Sequence, residues 1–485
     1  MNIAHVRRTL LPLYLCFVFM APVSEKANTA ELPTLGNASS NLVSIDQERA
    51  LGSAWLRSLR GQVETYYNPI VLDYISQLIY SMAPYSQVSD RNFRFLVIES
   101  PTLNAFAVPG SIIGVNAGLF LYAVNEQEFA SVMAHELSHL SQRHYARRLE
   151  QQRLSKPLSL AAMLASIVVA ATTGSDAGFA ALASTQAYSA EKALGFSRQN
   201  EQEADRIGIE VMYNANYDPR SMPSMFERML KQSRLQGGAI PEYLSTHPLS
   251  ENRVADTRNR ASQYPRKQYR DNYEYHISRA MIIADFSESK EQAVKHFESL
   301  IDKGNTSQID GATFGLAYSL LGLNSERSEA LLQTLDRKFP ATISIQVTLA
   351  EAKFLNGKEN DAIDLLKSLL QRNPGNLPTA LVLAKIRINQ ENFSEAQKIV
   401  QELARRYKDS PKIWQMLADI YGHLGEISQL HRARAEVYIL TNRLEGALEQ
   451  LRLAKQKANA NTRQSTLIQE RMDEVYAYIN NPEFD

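Results

Sequence analysis

Apolar residues change their spacing several times along this chain, and each change marks a different kind of element. Residues 31–43 are polar and turn-rich, which suits a flexible leader. Ser44 and Gln47 then form a capping box, and Ala50, Leu51, Ala54, Trp55 and Leu59 follow at helical spacing as far as Gly61, predicting a helix over 45–60. Three short extended runs come next, at 93–98, at 105–108 (closed by Pro109 and Gly110) and at 112–115. Their close succession predicts a small antiparallel sheet. Asn125 with Glu128 offers a second capping box, and Phe129, Val132, Met133, Leu137 and Leu140 keep helical periodicity behind it, so a helix is expected through about residue 148.

Residues 158–171 are the most apolar stretch beyond the first thirty residues, at 14 residues too short to span a bilayer. A buried helix or a lid over a cleft is the first reading, and a helix touching a membrane peripherally is the alternative. From about 274 the texture becomes helical pairs with a period of 34, the spacing of tetratricopeptide repeats: Ala350, Ala384 and Ala418 recur at that interval, as do Ala362 and Ala396, and Pro374 closes one unit. Trp414, Leu417, Ala418 and Tyr421 fit the first helix of such a pair, while Ala447, Leu451 and Ala454, like Ala293, Phe297 and Leu300 earlier, fit the second. Four to six degenerate repeats over 274–461 with a final capping helix are expected, because single pairs cannot bury their apolar faces alone. The domain plan is an export signal over 1–30, a leader over 31–43, a mixed helical and stranded domain over 44–262 and an all-helical solenoid over 274–485. The fold class is α+β followed by all-α.

Charge excludes rather than selects. Lys plus Arg and Asp plus Glu are 52 each, so no global field favours nucleic acid or an anionic membrane, and any recognition rests on local patches. Arg7 and Arg8 ahead of the apolar run 9–20 read as a secretory signal, with a candidate cleavage site after Ala30. The only cysteine, Cys16, lies inside that run, and Tyr14 and Leu15 before it do not suit lipid attachment. Beyond the signal the chain therefore has no thiol, in keeping with an oxidising compartment.

The chemistry concentrates in His135-Glu136-Leu137-Ser138-His139, an HExxH pattern inside the periodic segment. Histidines at i and i+4 stand one above the other on a helix, so their ring nitrogens can converge on one ion. Glu136 emerges beside them, where it can act as general base toward water. A third ligand is needed, and Glu201 is the best candidate, with Asp205 one turn further on to accept the second ring N–H of a ligand histidine. On spacing alone, a solvated acidic face made by Glu201, Glu203 and Asp205 explains the segment equally well. Glu203 is expected to point away from the metal. His144, five residues after His139, falls on another face of a continuous helix and is expected to serve a surface or cap role.

HExxH followed after an apolar insert by SRxxExxAD (Ser197 to Asp205) resembles the HtpX and CAAX-prenyl-protease class of zinc metallopeptidases. The resemblance extends to residues 104–110 and to Gly118-Leu119, with Ser111 where the class often has a second glycine, and covers roughly 45–260. It implies a gluzincin-type domain with one Zn²⁺ on His135, His139 and Glu201, Glu136 as the base and Asp205 behind a ligand histidine. It also draws attention to Thr246-His247-Pro248 with Arg253 beyond: His247 is expected either to close the fourth metal position or to stabilise the oxyanion. The strand bearing 104–110 either borders the cleft and pairs with extended substrate or is an internal strand without such a role.

Members of the class with export signal, soluble peptidase domain and repeat array imply a periplasmic metalloendopeptidase with chaperone character, whose clients are outer-membrane β-barrel proteins and their assembly machinery, engaged through the repeats. The competing expectation is a client-binding scaffold whose zinc site stays closed.

Overall fold

The computed structural model describes residues 43–148, 197–235, 242–269, 272–304, 306–458 and 463–480. The expected signal, Cys16, nearly all of the leader and the apolar stretch 158–171 lie outside the described residues. No helix among them is long and apolar enough to cross a membrane.

The first helix, α1 (Ile45–Arg60), starts on the expected capping box and ends at Gly61. It lays Leu51, Trp55, Leu56 and Leu59 against the sheet, where Trp55 meets Phe106 edge-on at 5.5 Å. Asn68 caps α2 (Pro69–Met82), which is followed by β1 (Arg94–Ile98), β2 (Ala105–Val108) and β3 (Ile112–Asn116). The strands order as β1-β3-β2. The β2–β3 pair is antiparallel as expected, whereas β1 runs parallel to β3, so the sheet is mixed. The alternation of apolar residues could not decide this. β3 is buried along its whole length, and its pattern is the same whichever way a neighbour runs. The turn between β2 and β3 puts both Gly110 (φ 79°) and Ser111 (φ 57°) in the left-handed region. Ser111 is held there by donating its hydroxyl to the Asp90 carbonyl at 2.7 Å.

Short α3 (Gly118–Tyr122) leads to α4 (Glu126–Ser141), capped by Asn125 and buried on nearly every side. The helix expected through 148 is interrupted by a turn at Gln142 and Arg143, where Arg143 takes φ 49°, and the chain is helical again over 144–148. Glu48 Oε1 at 2.6 Å and the Val43 carbonyl at 2.7 Å fix the Arg143 guanidinium, tying the break to the start of α1. α5 (Arg198–Asn214) crosses α4 closely at Gly208, where a Cβ would come within 3.4 Å of the Ala134 and His135 backbone. α6 (Ser221–Leu235), α7 (Glu242–Thr246) and α8 (Glu251–Ser262) complete the domain.

Among the described residues twelve helices follow: α9 (Tyr273–Asp285), α10 (Lys290–Asp302), α11 (Thr306–Ser319), α12 (Ser325–Lys338), α13 (Ile343–Leu355), α14 (Glu359–Arg372), α15 (Leu377–Asn389), α16 (Phe393–Arg406), α17 (Pro411–His423), α18 (Ile427–Leu440), α19 (Leu444–Lys457) and α20 (Arg463–Ile479). Ala350, Ala362, Ala384, Ala396 and Ala418 are all fully buried, as residues at close helix crossings must be. α9 belongs to two cores at once. Its Tyr275 joins Tyr74, Phe120 and Phe129 in an aromatic cluster of the first domain, while Ile277, Ala280 and Met281 begin the core of the array. α2 packs against α9 and α15, and α1 against α18, so the array bends around the first domain.

Candidate functional site

Three elements bring His135, His139, Glu201 and His247 together. α4 carries the two HExxH histidines one turn apart, α5 carries Glu201 and Asp205 one turn apart, and His247 follows directly on α7. All are buried. Nε2 of His135 and of His139 are 3.0 Å apart. Glu201 lies 3.5 Å from each through different oxygens, and His247 Nδ1 stands 3.1 Å from Glu201 Oε1 and 3.4 Å from His135 Nε2.

A tetrahedral ion with ligands at about 2.0–2.1 Å separates its donors by about 3.3–3.4 Å. The donors of His135, His139 and Glu201 stand 3.0–3.5 Å apart, close to that figure, and His247 Nδ1 lies within 3.4 Å of two of them, all four within 4.8 Å of one another. Two imidazoles and a carboxylate, all removed from water, are groups that would otherwise need hydrogen-bond partners, and the residues present therefore fit a divalent metal.

Supporting groups fix these side chains. Asp205 Oδ1 lies 3.0 Å from His135 Nδ1. Asp205 is itself clamped by Arg253, whose Nε and Nη2 donate to its two oxygens at 2.8 Å each. Nη1 of Arg253 donates to the Pro248 carbonyl at 2.8 Å and reaches Glu201 Oε2 at 2.7 Å. One guanidinium thus joins α5 to the loop that presents His247. The ring of Tyr243 stacks on His247 at 4.7 Å.

His144 departs from the sequence reading. It is fully buried rather than at the surface, because the helix is broken at Arg143 and His144 starts a separate helical segment that does not keep the register of α4. Its Nδ1 is 2.8 Å from His139 Nδ1, and its Nε2 is 3.1 Å from Glu203 Oε2. Glu203 points away from the metal donors, as expected, and Arg147 completes the chain at 2.7 Å. A His139 that presents Nε2 to a metal carries its proton on Nδ1, so His144 accepts it and donates its own Nε2–H to Glu203.

Burial pulls the His135 imidazole down, but the Asp205 and Glu201 carboxylates outweigh it and raise its pKa to about 9. Burial and the charge on His135 hold His139 well below the ordinary range. Burial alone would raise Glu201, yet His247, His135 and His139 together keep it well below a usual carboxylate. Glu136 is different: burial raises it against the opposing pull of His247 and His135. Its Oε1 is buried without a hydrogen bond, 3.4 Å from His247 Nε2. A desolvated carboxylate with an unused acceptor oxygen beside a metal-type donor cluster is equipped to take a proton from water.

Arg253 and His144 are the supporting residues that sequence reasoning did not assign. The interval from His247 to Arg253 was visible as a motif, but its ion pairs were not. The signal for His144 was only its nearness to His139, which a continuous helix turns into a reason to exclude it.

Residues 71–261 match the model of peptidase family M48, and 353–420 match a tetratricopeptide repeat model. The chain is 33% identical over 447 residues to the beta-barrel assembly-enhancing protease of Escherichia coli K12, covering 92% of this chain and 91% of that one. Identity to the protein of that name from Yersinia pestis is 29% over 445 residues, with the same coverage of both chains. The mitochondrial metalloendopeptidase OMA1 of Schizosaccharomyces pombe is 32% identical over 188 residues, 39% of this chain and 52% of its own length. With the peptidase model on the helices that converge at the donor cluster, and a full-length relative above 30% identity, the chain belongs to the M48 metallopeptidases, in the form that continues into a C-terminal tetratricopeptide array.

Proposed function

We propose that this chain is an exported, periplasmic zinc metalloendopeptidase that holds its clients on the repeat array and acts on outer-membrane β-barrel proteins and their assembly machinery. The observation that carries the enzymatic part is the convergence of His135, His139 and Glu201 beside a desolvated Glu136. The export signal over 1–30, the absence of thiols beyond it and the names of the relatives support the location and the clients.

His135, His139 and Glu201 would hold the metal. Zinc, when bound, supplies Lewis acidity to the scissile carbonyl and acidifies water to about pKa 7. Glu136 accepts the proton of the attacking water on its unpaired oxygen and returns it to the leaving amine nitrogen, completing hydrolysis of the amide. Asp205 keeps His135 in the tautomer that leaves Nε2 free, and the two hydrogen bonds from Arg253 hold Asp205 in place. β2 bonds within the sheet only to β3 and packs against α4, which supports pairing with an extended client along its other edge. Metal analysis of the mature protein together with proteolysis of an unfolded client is the test. One tightly held zinc per chain and loss of cleavage in Glu136→Gln with zinc retained are expected; undiminished cleavage in that variant would sink the assignment.

His247 supports a second reading, a latent site. Its Nδ1, 3.1 Å from Glu201 Oε1, would take the fourth ligand position of a bound metal, while its Nε2 faces Glu136 at 3.4 Å. On that reading His247→Ala raises cleavage and Glu136→Gln abolishes it. If neither protein nor variant cleaves any client, the chain is a scaffold with a closed metal site.

A further inference from the structure

Away from the metal centre, a cavity of about 720 Å³ separates α1 from the helices α16, α17, α18 and α20. Its peptidase wall is one stripe of α1, with Leu56, Arg57 and Arg60, together with Arg94 of β1. The repeats contribute Arg405, Lys408, Arg432 and Arg471. Against these seven cations the lining holds two carboxylates, Asp409 and Glu436. Glu436 is taken up by Arg471 at 2.6 and 2.9 Å, and Asp409 lies 4.0 Å from Arg94. Arg405 turns to Glu402, and Arg432 has only the Gln429 amide oxygen at 2.9 Å.

Arg57, Arg60, Lys408 and Arg432 thus have no ion pair among the described residues. The guanidinium of Arg57 covers the Tyr478 ring at 4.3 Å, and its Nε is buried without a hydrogen bond. Burial depresses both α1 arginines, Arg60 to about 10. Gathering like charges in a partly dehydrated space costs free energy that an anionic ligand recovers.

A second cavity of about 550 Å³ shares Arg60, Arg94, Lys408 and Asp409 with the first and continues along β1. Its walls are aromatic: Tyr67, Tyr80, Phe93, Phe95 and Tyr407. Tyr80 is 48% exposed and meets Phe93 edge-on at 5.4 Å. An inorganic anion would use the first chamber and leave the second empty. A polypeptide with carboxylates followed by aromatic side chains matches both in sequence, and stacked repeats characteristically receive extended segments.

We infer that this two-chamber groove binds an acidic and then aromatic segment of a client polypeptide. The inference rests on the reading of the array as the client-holding part and adds the chemistry of the segment held.

Fluorescence anisotropy on the full chain carrying Glu136→Gln, so that no probe is cleaved, tests it. The probe is a labelled peptide with a run of Asp and Glu followed by Phe and Tyr; one control replaces the acids by Lys and another replaces the aromatics by Ala. The acidic, aromatic probe is expected to bind at least about tenfold more tightly than the lysine control and severalfold more tightly than the alanine control. Its advantage over the lysine control should shrink between roughly 0.05 and 0.5 M salt. Arg405→Glu with Lys408→Glu, both exposed, and separately Arg432→Glu should each weaken it by about tenfold, with unchanged circular dichroism and melting.

Equal binding of the lysine control, or full binding by both charge-reversed proteins, overturns the inference. So does retention of phosphatidylglycerol vesicles, in place of the peptide, that those reversals abolish. Cleavage is measured separately on the chain without Glu136→Gln: probe binding without any proteolysis would sink the peptidase reading and leave this one standing.

Discussion

The metal centre and the groove behind α1 both collect charged side chains, and they differ in whether the chain neutralises them itself. Around His135 carboxylates are answered from other elements: Asp205 by Arg253, Glu201 by Arg253 and His247, and Glu203 by Arg147. In the groove four cations have no carboxylate within ion-pair distance among the described residues. The first arrangement is preorganised, since burial makes each electrostatic contact strong and fixes one geometry. The second is left open to solvent and to a ligand. A chemical centre needs its groups held before substrate arrives, whereas a binding groove gains affinity from charges that only the ligand completes.

The sharpest way to break this contrast is at Glu136, whose Oε1 is buried without a hydrogen bond. Glu136→Gln should lower client cleavage by roughly 10²–10⁴-fold, the usual share of a general base, with little change in melting temperature or metal content. Next is Arg253→Met, which leaves Asp205 and Glu201 buried without their cation. A loss of about 3–5 kcal/mol in denaturant unfolding is expected, and a loss under about 1 kcal/mol would show that the cluster is not preorganised by ion pairing. His144→Ala should be milder. Removing the acceptor for the His139 N–H should weaken metal affinity about 10–100-fold in a chelator competition, with folding retained.

The smallest effect falls at the β2–β3 turn. Ser111→Gly relieves left-handed strain of about 1–2 kcal/mol but gives up the bond to the Asp90 carbonyl, worth about 1 kcal/mol, so melting should change little. Ser111→Val, which loses the bond and keeps the strain, should be clearly destabilising.

What could be read from the sequence followed local rules. The capping box at Ser44 and Gln47 and the stop at Gly61 gave α1 its limits, because the groups that satisfy a helix end lie within four residues of it. The spacing of His135 and His139 put two imidazoles on one face for the same reason. Arg143 shows where this fails. Its positive φ is secured by Glu48 and the Val43 carbonyl, about a hundred residues earlier in the chain, and nothing near 143 announces it. The break there moved His144 from an expected surface role to the far nitrogen of His139. The direction of β1 against β3 was invisible for a related reason, since a strand buried on both faces carries no alternation to register its neighbours.

By itself, then, the sequence determined the chemical vocabulary of this protein: the HExxH helix, the Glu201 and Asp205 turn, the 34-residue array and the presence of His247. The HExxH helix and the array follow from intervals that local geometry converts directly into a face or a stack, whereas Glu201 with Asp205 and His247 stood out only through the resemblance to the metallopeptidase class. Tertiary structure alone decided which of those groups meet. Arg253 joining two helices and a loop, His144 standing behind His139 and a cationic groove formed between α1 and the last repeats all depend on long-range packing. Charges distant in sequence acquire partners, or are left without them, only once the chain has closed around them.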